Sequence, residues 1–456
     1  MEFKINEEYI VDITDMGESG EGIGKVEGFT FFVGGAVIGD RLKVKIKTLK
    51  KSYAMAKMVE IIKASDYRQK SDCPHFPECG GCQLRHVAYD AQLLMKENKV
   101  KSTLERIGGF KDIEVSPVMG MDNPYHYRNK CQFPTGEKDG RNIIGFYKRK
   151  SHDVQELNAC HLQSPVADAI VTSIKEWMNT YPIDIYDEKK HKGLLRHIML
   201  RESDATGDIM LVVVINGKKL PFVDELIKLV KERHSEVSTI VLNKNTKRGN
   251  RILGFENDIL TGSGKITDTI EHLKFEISPL SFFQINNEQT VKLYGKALEY
   301  ADLQGGEVVY DIYSGIGTIS LFLAQKAGHV YGIEVIDAAV KDARENAIRN
   351  SVDNATFVTA KAEDEIPLMY DKGIIGDVVV VDPPRKGCEE SVLETMLKMA
   401  PKRIVYVSCK VSTLARDLKY LCENGPYEIE AVQPVDMFPW TSHIETVVRL
   451  RRKSFT

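Results

Sequence analysis

From residue 307 to residue 450, short apolar runs of β character alternate with segments of helical length, a pattern that few architectures accommodate. Residues 307–312, 330–333, 356–359, 377–381, 403–407, 427–434 and 445–450 read as strands; 319–324, 337–350 and 390–399 read as helices. Strands separated by helices pair in parallel, because the helical crossover returns the chain to the same end of the sheet. A doubly wound, mostly parallel α/β sheet follows. The last two runs are joined by a loop with no helix, so the final strand is predicted to be antiparallel. Its first residue then shares a rim with the ends of the parallel strands. That rim collects Asp382, Cys409 and Glu445.

The turn after the first of these strands is Ser314-Gly-Ile-Gly-Thr318, opening a helix. Glycines let the backbone approach a ligand, and the turn delivers that ligand to a helix N-terminus. The next strand ends in Glu334, where a carboxylate can accept hydrogen bonds from two ribose hydroxyls. A dinucleotide fingerprint requires a third glycine at position 320, which is Ser here, so the pattern favours S-adenosylmethionine over NAD. A plain strand-to-helix turn with no ligand is the simpler reading, but sheets of this type bind ligands at the C-terminal ends of their strands. At the rim, a thiol just past an apolar run and a carboxylate at the mouth of another suggest a nucleophile and a base, hence covalent catalysis. The competing reading of Cys409 is a buried structural thiol.

Five ordered motifs resemble the bacterial RNA uracil-5-methyltransferase family. They are Ser281-Phe-Phe-Gln-Ile-Asn286, Asp311-Ile-Tyr-Ser-Gly-Ile-Gly317, Asp382-Pro-Pro-Arg-Lys-Gly387, Val407-Ser-Cys409 with Thr413-Leu-Ala-Arg-Asp417, and Asp436-Met-Phe-Pro-Trp-Thr-Ser-His-Ile-Glu445. The resemblance spans essentially the whole chain. It implies a class I methyltransferase sheet, with Gln284, Tyr313, Glu334 and Asp382 on the methyl donor. It implies Cys409 as the nucleophile and Glu445 as the proton-abstracting base. Ser314 stands where many members have Cys, and Lys410-Val411 where Asn-Pro or Asp-Pro is common. The chemistry accounts for the residue types. C5 of uracil is a poor nucleophile until a thiolate adds to C6, and its proton must then leave to a nearby base.

The first 65 residues carry five short strand candidates with Gly-rich turns, an OB-like β-barrel pattern; residues 17–40 resemble the TRAM RNA-binding domain. Cys73, Cys79 and Cys82 follow as Cys-x5-Cys-Gly-Gly-Cys. Disulfides are disfavoured in a reduced compartment, so a loop around a metal is expected, with Cys160 as fourth ligand and His75, His86 and His161 as competitors. Spacing leaves zinc and iron–sulfur open. The resemblance implies a [4Fe-4S] cluster on Cys73, Cys79, Cys82 and Cys160. Cys131, Cys388 and Cys422 are read as structural. Cys388, close to Asp382, raises cytosine-5 methylation as a rival.

The expected domains are 1–65, a TRAM/OB-like RNA-binding barrel; 66–278, a central α/β domain with the cluster loop, part of 90–120 packing on the next domain; and 279–456, the methyltransferase. Net charge is −3, yet Arg41 to Lys63 and Arg128 to Lys150 are strongly basic. Such patches give local phosphate affinity, although sheet edges favour Lys in any case. Tyr125-His-Tyr-Arg-Asn-Lys130 is a candidate surface for stacking unpaired RNA, or the edge of an aromatic core. The charged N-terminus has no signal-peptide core and no apolar run approaches a membrane span, so a cytoplasmic monomer is expected. The expected activity is S-adenosylmethionine-dependent methylation of uridine C5 in 23S rRNA, with tRNA as the alternative substrate. A non-catalytic RNA-binding iron–sulfur protein is the rival from another class.

Overall fold

Residues 3–453 are described by the computed structural model, so positions 1–2 and 454–456 of the expected first and last domains lie outside the described residues. Strands β1 (Glu8–Met16), β2 (Gly22–Val26), β3 (Phe29–Val33), β4 (Arg41–Leu49) and β5 (Tyr53–Lys63) close into a barrel in the order β1-β2-β3-β5-β4. The alternation in β4 shows why. Leu42, Val44 and Ile46 point inward and are fully buried, while the residues between them face outward. Arg41 and Lys43 of the expected basic patch lie 3.7 Å and 2.9 Å from Asp12 and Glu8 of β1, so part of that charge is neutralised locally. Asp40, buried, accepts from Ser65 N–H and from the Arg68 guanidinium, which pins the barrel to the segment that follows.

Helix α1 (Tyr89–Thr103) comes next and passes into a single π-turn at Leu104–Gly108. The central unit holds β6 (Lys130–Lys138), β7 (Arg141–Tyr147), β8 (Val154–Glu156), α2 (Pro165–Thr180), β9 (Leu195–Glu202), β10 (Ile209–Ile215), α3 (Val223–Arg233), β11 (Val237–Lys244) and β12 (Glu256–Thr261). Its strands form one sheet, β12-β11-β10-β9-β6-β7-β8. Ser164 caps α2 by accepting from Ala167 N–H at 3.1 Å, with Pro165 at the first helical position. Trp177, Ile174 and Leu226 of the two helices cover one face of this sheet. The other face, through Met210, Val212 and Val214, joins the core of the C-terminal unit. Burial on both faces explains the unbroken apolar run in β10.

Hairpin β13 (Ile266–Ile270) and β14 (Leu273–Ile277) leads to α4 (Asn287–Ala301), capped by Asn286, whose side chain accepts from Gln289 N–H. Then follow β15 (Val308–Ile312), α5 (Thr318–Ala324), β16 (His329–Glu334), α6 (Asp337–Arg349), β17 (Ala355–Thr359), α7 (Ala362–Asp371), β18 (Val378–Val381), α8 (Glu390–Met399), β19 (Arg403–Ser408), α9 (Val411–Asn424), β20 (Tyr427–Val435) and β21 (Glu445–Arg452). The sheet order is β17-β16-β15-β18-β19-β21-β20, parallel except for β21, which is antiparallel to both neighbours. No helix among the described residues is long and apolar enough to cross a membrane.

Candidate active site

The turn after β15 is held in an unusual backbone conformation. Tyr313 has φ 68°, rare for a residue with a side chain, and its N–H and that of Ser314 both donate to Ile333 O. Gly317 has φ +84°, and a Cβ there would sit 2.9 Å from the Phe357 ring. At Gly315, by contrast, a Cβ would meet nothing within 4 Å, so the backbone faces open space. Glu334, ending β16, accepts from Gly315 N–H at 3.2 Å and Ile336 N–H at 2.9 Å, which fixes its carboxylate beside the turn. Asp311 Oδ1 and Ser314 Oγ are buried with no hydrogen-bond partner. Gln284 is buried, and its backbone carbonyl accepts from Asn129 Nδ2. Orphaned acceptors, an open glycine and a fixed carboxylate at strand C-termini are what a nucleoside-bearing methyl donor requires.

The rim is set by strand register. Ser408 pairs with Thr446 across the antiparallel β19–β21 ladder, so Cys409 and Glu445 are the next residues outward on the two strands. Val381 pairs with Tyr406 in the parallel ladder, which brings Asp382 to the same end. Burial, and then the neighbouring Glu445 and Asp382 carboxylates, push the Cys409 thiol up to about 11; the Arg385 guanidinium opposes them. Glu445 is fully buried and its carboxyl is raised well above the usual range by burial and by Asp382, again against Arg385. A buried carboxyl close to the thiol is placed to act as a proton acceptor. These charges have a testable consequence. With the thiol near 11, alkylation of Cys409 by iodoacetamide, read on its peptide by mass spectrometry, should rise about tenfold per pH unit from 7 to 10. Glu445→Gln removes the adjacent carboxylate and should speed the reaction at pH 9; Arg385→Met should slow it. A flat profile would contradict a raised thiol.

A pocket of about 250 Å³ opens onto Cys409. Arg385, Lys410 and His443 form one wall; Met16, Gly17 and Glu18 of the barrel form another, with Lys99 of α1 between them. Ser442 Oγ donates to Glu18 O at 2.8 Å, and Lys99 Nζ reaches both Ser442 O (2.8 Å) and Glu18 O (3.3 Å). One turn earlier, Lys96 Nζ lies 2.6 Å from Asp436 Oδ1, with both side chains fully buried, and Tyr89 O–H donates to the same carboxylate at 2.9 Å. Helix α1 therefore straps the loop that precedes Glu445 to the barrel. Arg385 and His443 sit inside motifs that the sequence displays, yet nothing local marks them as pocket residues. Glu18 and Lys96 join the site only through contacts spanning most of the chain.

Other expectations resolve differently. Tyr127 is buried and its O–H donates to Pro439 O, while Tyr125 packs on Trp440 with ring centroids 5.2 Å apart, so the two tyrosines of the 125–130 segment belong to a core edge. Cys388 is buried against Tyr406 and Asp417, and burial raises its thiol to about 12. The metal centre expected of the Cys loop is not formed by the side chains as they stand. Among the described residues, no three His, Cys, Asp or Glu are disposed to hold a metal ion. Burial raises the Cys82 thiol to about 12 and the Cys160 thiol to about 11. The donors are nevertheless neighbours. Cys82 feels Cys160 and Cys79, and Cys79 feels Cys73. Arg85 and Arg149 stand beside them, and Gly81 N–H points at Cys79 Sγ at 3.4 Å. Among the competitors, His161 lies 3.2 Å from Asp72 and His86 stacks on Phe76.

The family model for tRNA (Uracil-5-)-methyltransferase matches residues 88–453, and that for the TRAM domain matches residues 2–59. An uncharacterized RNA methyltransferase of Clostridium tetani is 52% identical over 98% of this chain and 96% of its own; one from Caldanaerobacter subterraneus is 48% identical over 98% and 99%. The crystal structure of a Pyrococcus abyssi tRNA (uracil-54, C5)-methyltransferase in complex with S-adenosyl-L-homocysteine superposes with TM-score 0.77. It is 28% identical and covers 97% of this chain and 100% of its own.

Proposed function

Since the chain belongs to the tRNA (uracil-5-)-methyltransferase family, as an RNA (uracil-5-)-methyltransferase carrying a TRAM domain, we propose that it methylates C5 of uridine through a covalent adduct on Cys409. The observation that carries this reading is the placement of Cys409 and Glu445 at one rim, both facing Asp382, with a pocket open to the thiol. Gln284, Tyr313, Glu334 and Asp382 would hold S-adenosylmethionine, which supplies an electrophilic methyl group. Cys409 Sγ adds to C6 of the uracil, and the ring electrons make C5 nucleophilic. C5 bonds to the methyl carbon as that carbon's bond to the donor sulfur breaks; Glu445 then takes the C5 proton, the C5=C6 bond re-forms and the thiolate leaves. Arg385, attracted to both groups, favours the thiolate before attack and the carboxylate after it. The buried position of Cys388 speaks against a second nucleophile.

The target RNA we propose is 23S rRNA. What supports it is the pairing of the barrel with the Cys73–Cys82 loop, which the family resemblance associates with ribosomal enzymes. A second reading, tRNA, is favoured by the Pyrococcus abyssi enzyme, whose match covers 97% of this chain and so extends into the barrel. Mass spectrometry of rRNA and tRNA from a strain lacking this gene separates the two: 5-methyluridine missing from one 23S position is expected, and its loss from tRNA alone would overturn the ribosomal target. For the cysteines we propose a [4Fe-4S] cluster on Cys73, Cys79, Cys82 and Cys160. Four neighbouring soft donors beside two arginines suit an anionic cluster. Protein purified without oxygen should be brown and contain iron and sulfide, both lost in Cys79→Ser. Stoichiometric zinc without sulfide would contradict the assignment.

A further inference from the structure

The barrel carries a second concavity that continues the catalytic pocket. A groove of about 830 Å³ runs between the outer face of the barrel and α1, and shares Phe32 and Arg106 with the pocket that opens on Cys409. Its floor is aromatic. Phe32 of β3 and Tyr53 of β5 are half-buried neighbours with ring centroids 5.4 Å apart and planes at 84°. Lys25, Lys101 and Arg106 border it, against the acids Asp15, 3.5 Å from Arg106, and Glu105. Perpendicular rings leave one free face that a flat base can cover while its edge meets the second ring. Cations along the lip suit a phosphate backbone.

On the reading proposed above, the target uridine leaves its stack to reach Cys409, so the neighbouring nucleotide must lie within one backbone step of that pocket. We propose that this neighbour docks in the groove, with its base stacked on the Phe32–Tyr53 pair, and that the barrel thereby selects where along an RNA the enzyme acts. The occupant follows from continuity with the catalytic pocket and from the aromatic and cationic lining. Neither observation depends on which RNA is the natural substrate.

The test is binding of an 11-nucleotide RNA with one central uridine among adenosines, measured by fluorescence anisotropy. A single abasic nucleotide is walked through every position. In the full-length wild-type protein, the abasic change at one position next to the uridine should weaken binding roughly 10- to 100-fold, the range expected for one base–aromatic stack. Phe32→Ala should weaken binding of the intact RNA by a similar factor, and the same abasic change should then cost nothing further. Phe32→Trp, which keeps a stacking face, should bind as tightly as wild type, separating lost stacking from a damaged barrel. Full additivity of the two changes, or equal losses at every abasic position, would overturn the subsite. S-adenosylmethionine-dependent methylation by the wild-type protein, followed separately, tests the proposed activity. Its absence would sink that reading while the binding cycle still decides the groove.

Discussion

Glu445→Gln protein mixed with substrate RNA and S-adenosylmethionine should accumulate a protein–RNA species that survives denaturation. Thiol addition and methylation do not need this carboxylate, so both proceed in the variant. The C5 proton then has no acceptor, and the adduct cannot collapse. General bases contribute about 10²–10⁴-fold, so turnover should fall by that factor while the trapped species builds up. Cys409→Ala should give neither the species nor methylated RNA, because no enolate forms. The double variant should match Cys409→Ala. Normal turnover by Glu445→Gln, or a stable adduct without Cys409, would reverse these roles. The structure supplies the reason to expect a sharp split: Cys409 and Glu445 are the residues just beyond the last pair of adjacent strands.

The second large effect concerns stability. Lys96→Met should destabilise the protein by about 3–5 kcal/mol, the usual consequence of leaving one partner of a buried ion pair uncompensated. Lys96 and Asp436 are both fully buried 2.6 Å apart, and after the substitution only Tyr89 O–H still meets the carboxylate. Burial lowers the lysine's pKa, and Asp436 opposes that shift. Lys96→Met with Asp436→Leu should recover much of the loss, since no charge is then stranded. Trp440 lies in the same loop and one other Trp exists, so urea unfolding followed by fluorescence in a Trp177→Phe background reads this region directly. A loss below about 1 kcal/mol would mean that the strap formed by α1 is incidental.

Much of the C-terminal sheet is legible in the sequence because its order is local. Each βα unit announces itself by period, and α8 at Glu390–Met399 lies where the pattern puts it. The antiparallel course of β21 follows from the missing helix before it, and with it the meeting of Cys409 and Glu445. The barrel strands are equally plain, since β2 and β3 alternate between Gly-bounded turns. Helix α1 is not legible, because its buried residues include Gln92 and Lys96 and no apolar stripe marks it. What buries them is a loop more than 300 residues away. For the same reason the wall that Met16, Gly17 and Glu18 contribute to the pocket on Cys409 has no signature: nothing in the barrel's own pattern points to that thiol. The tyrosines of the 125–130 segment mislead in the opposite sense. Aromatics mixed with cations read as an RNA surface, yet Trp440 claims Tyr125 and the loop carbonyl of Pro439 claims Tyr127. The cysteine loop shows three of its donors by their spacing, but Cys160 comes beside Cys82 only through the fold.

If C5 of uridine is methylated after addition of Cys409 at C6, each methyl gained must release the C5 hydrogen, which tritium release counts. Unmodified 23S rRNA carrying [5-³H]uridine is incubated with the protein and S-adenosylmethionine, and tritiated water and methyl incorporation are counted together. One tritium should be released per methyl gained with wild-type protein, and none of either with Cys409→Ala. Methyl incorporation without tritium release, or release that persists in Cys409→Ala, would contradict it.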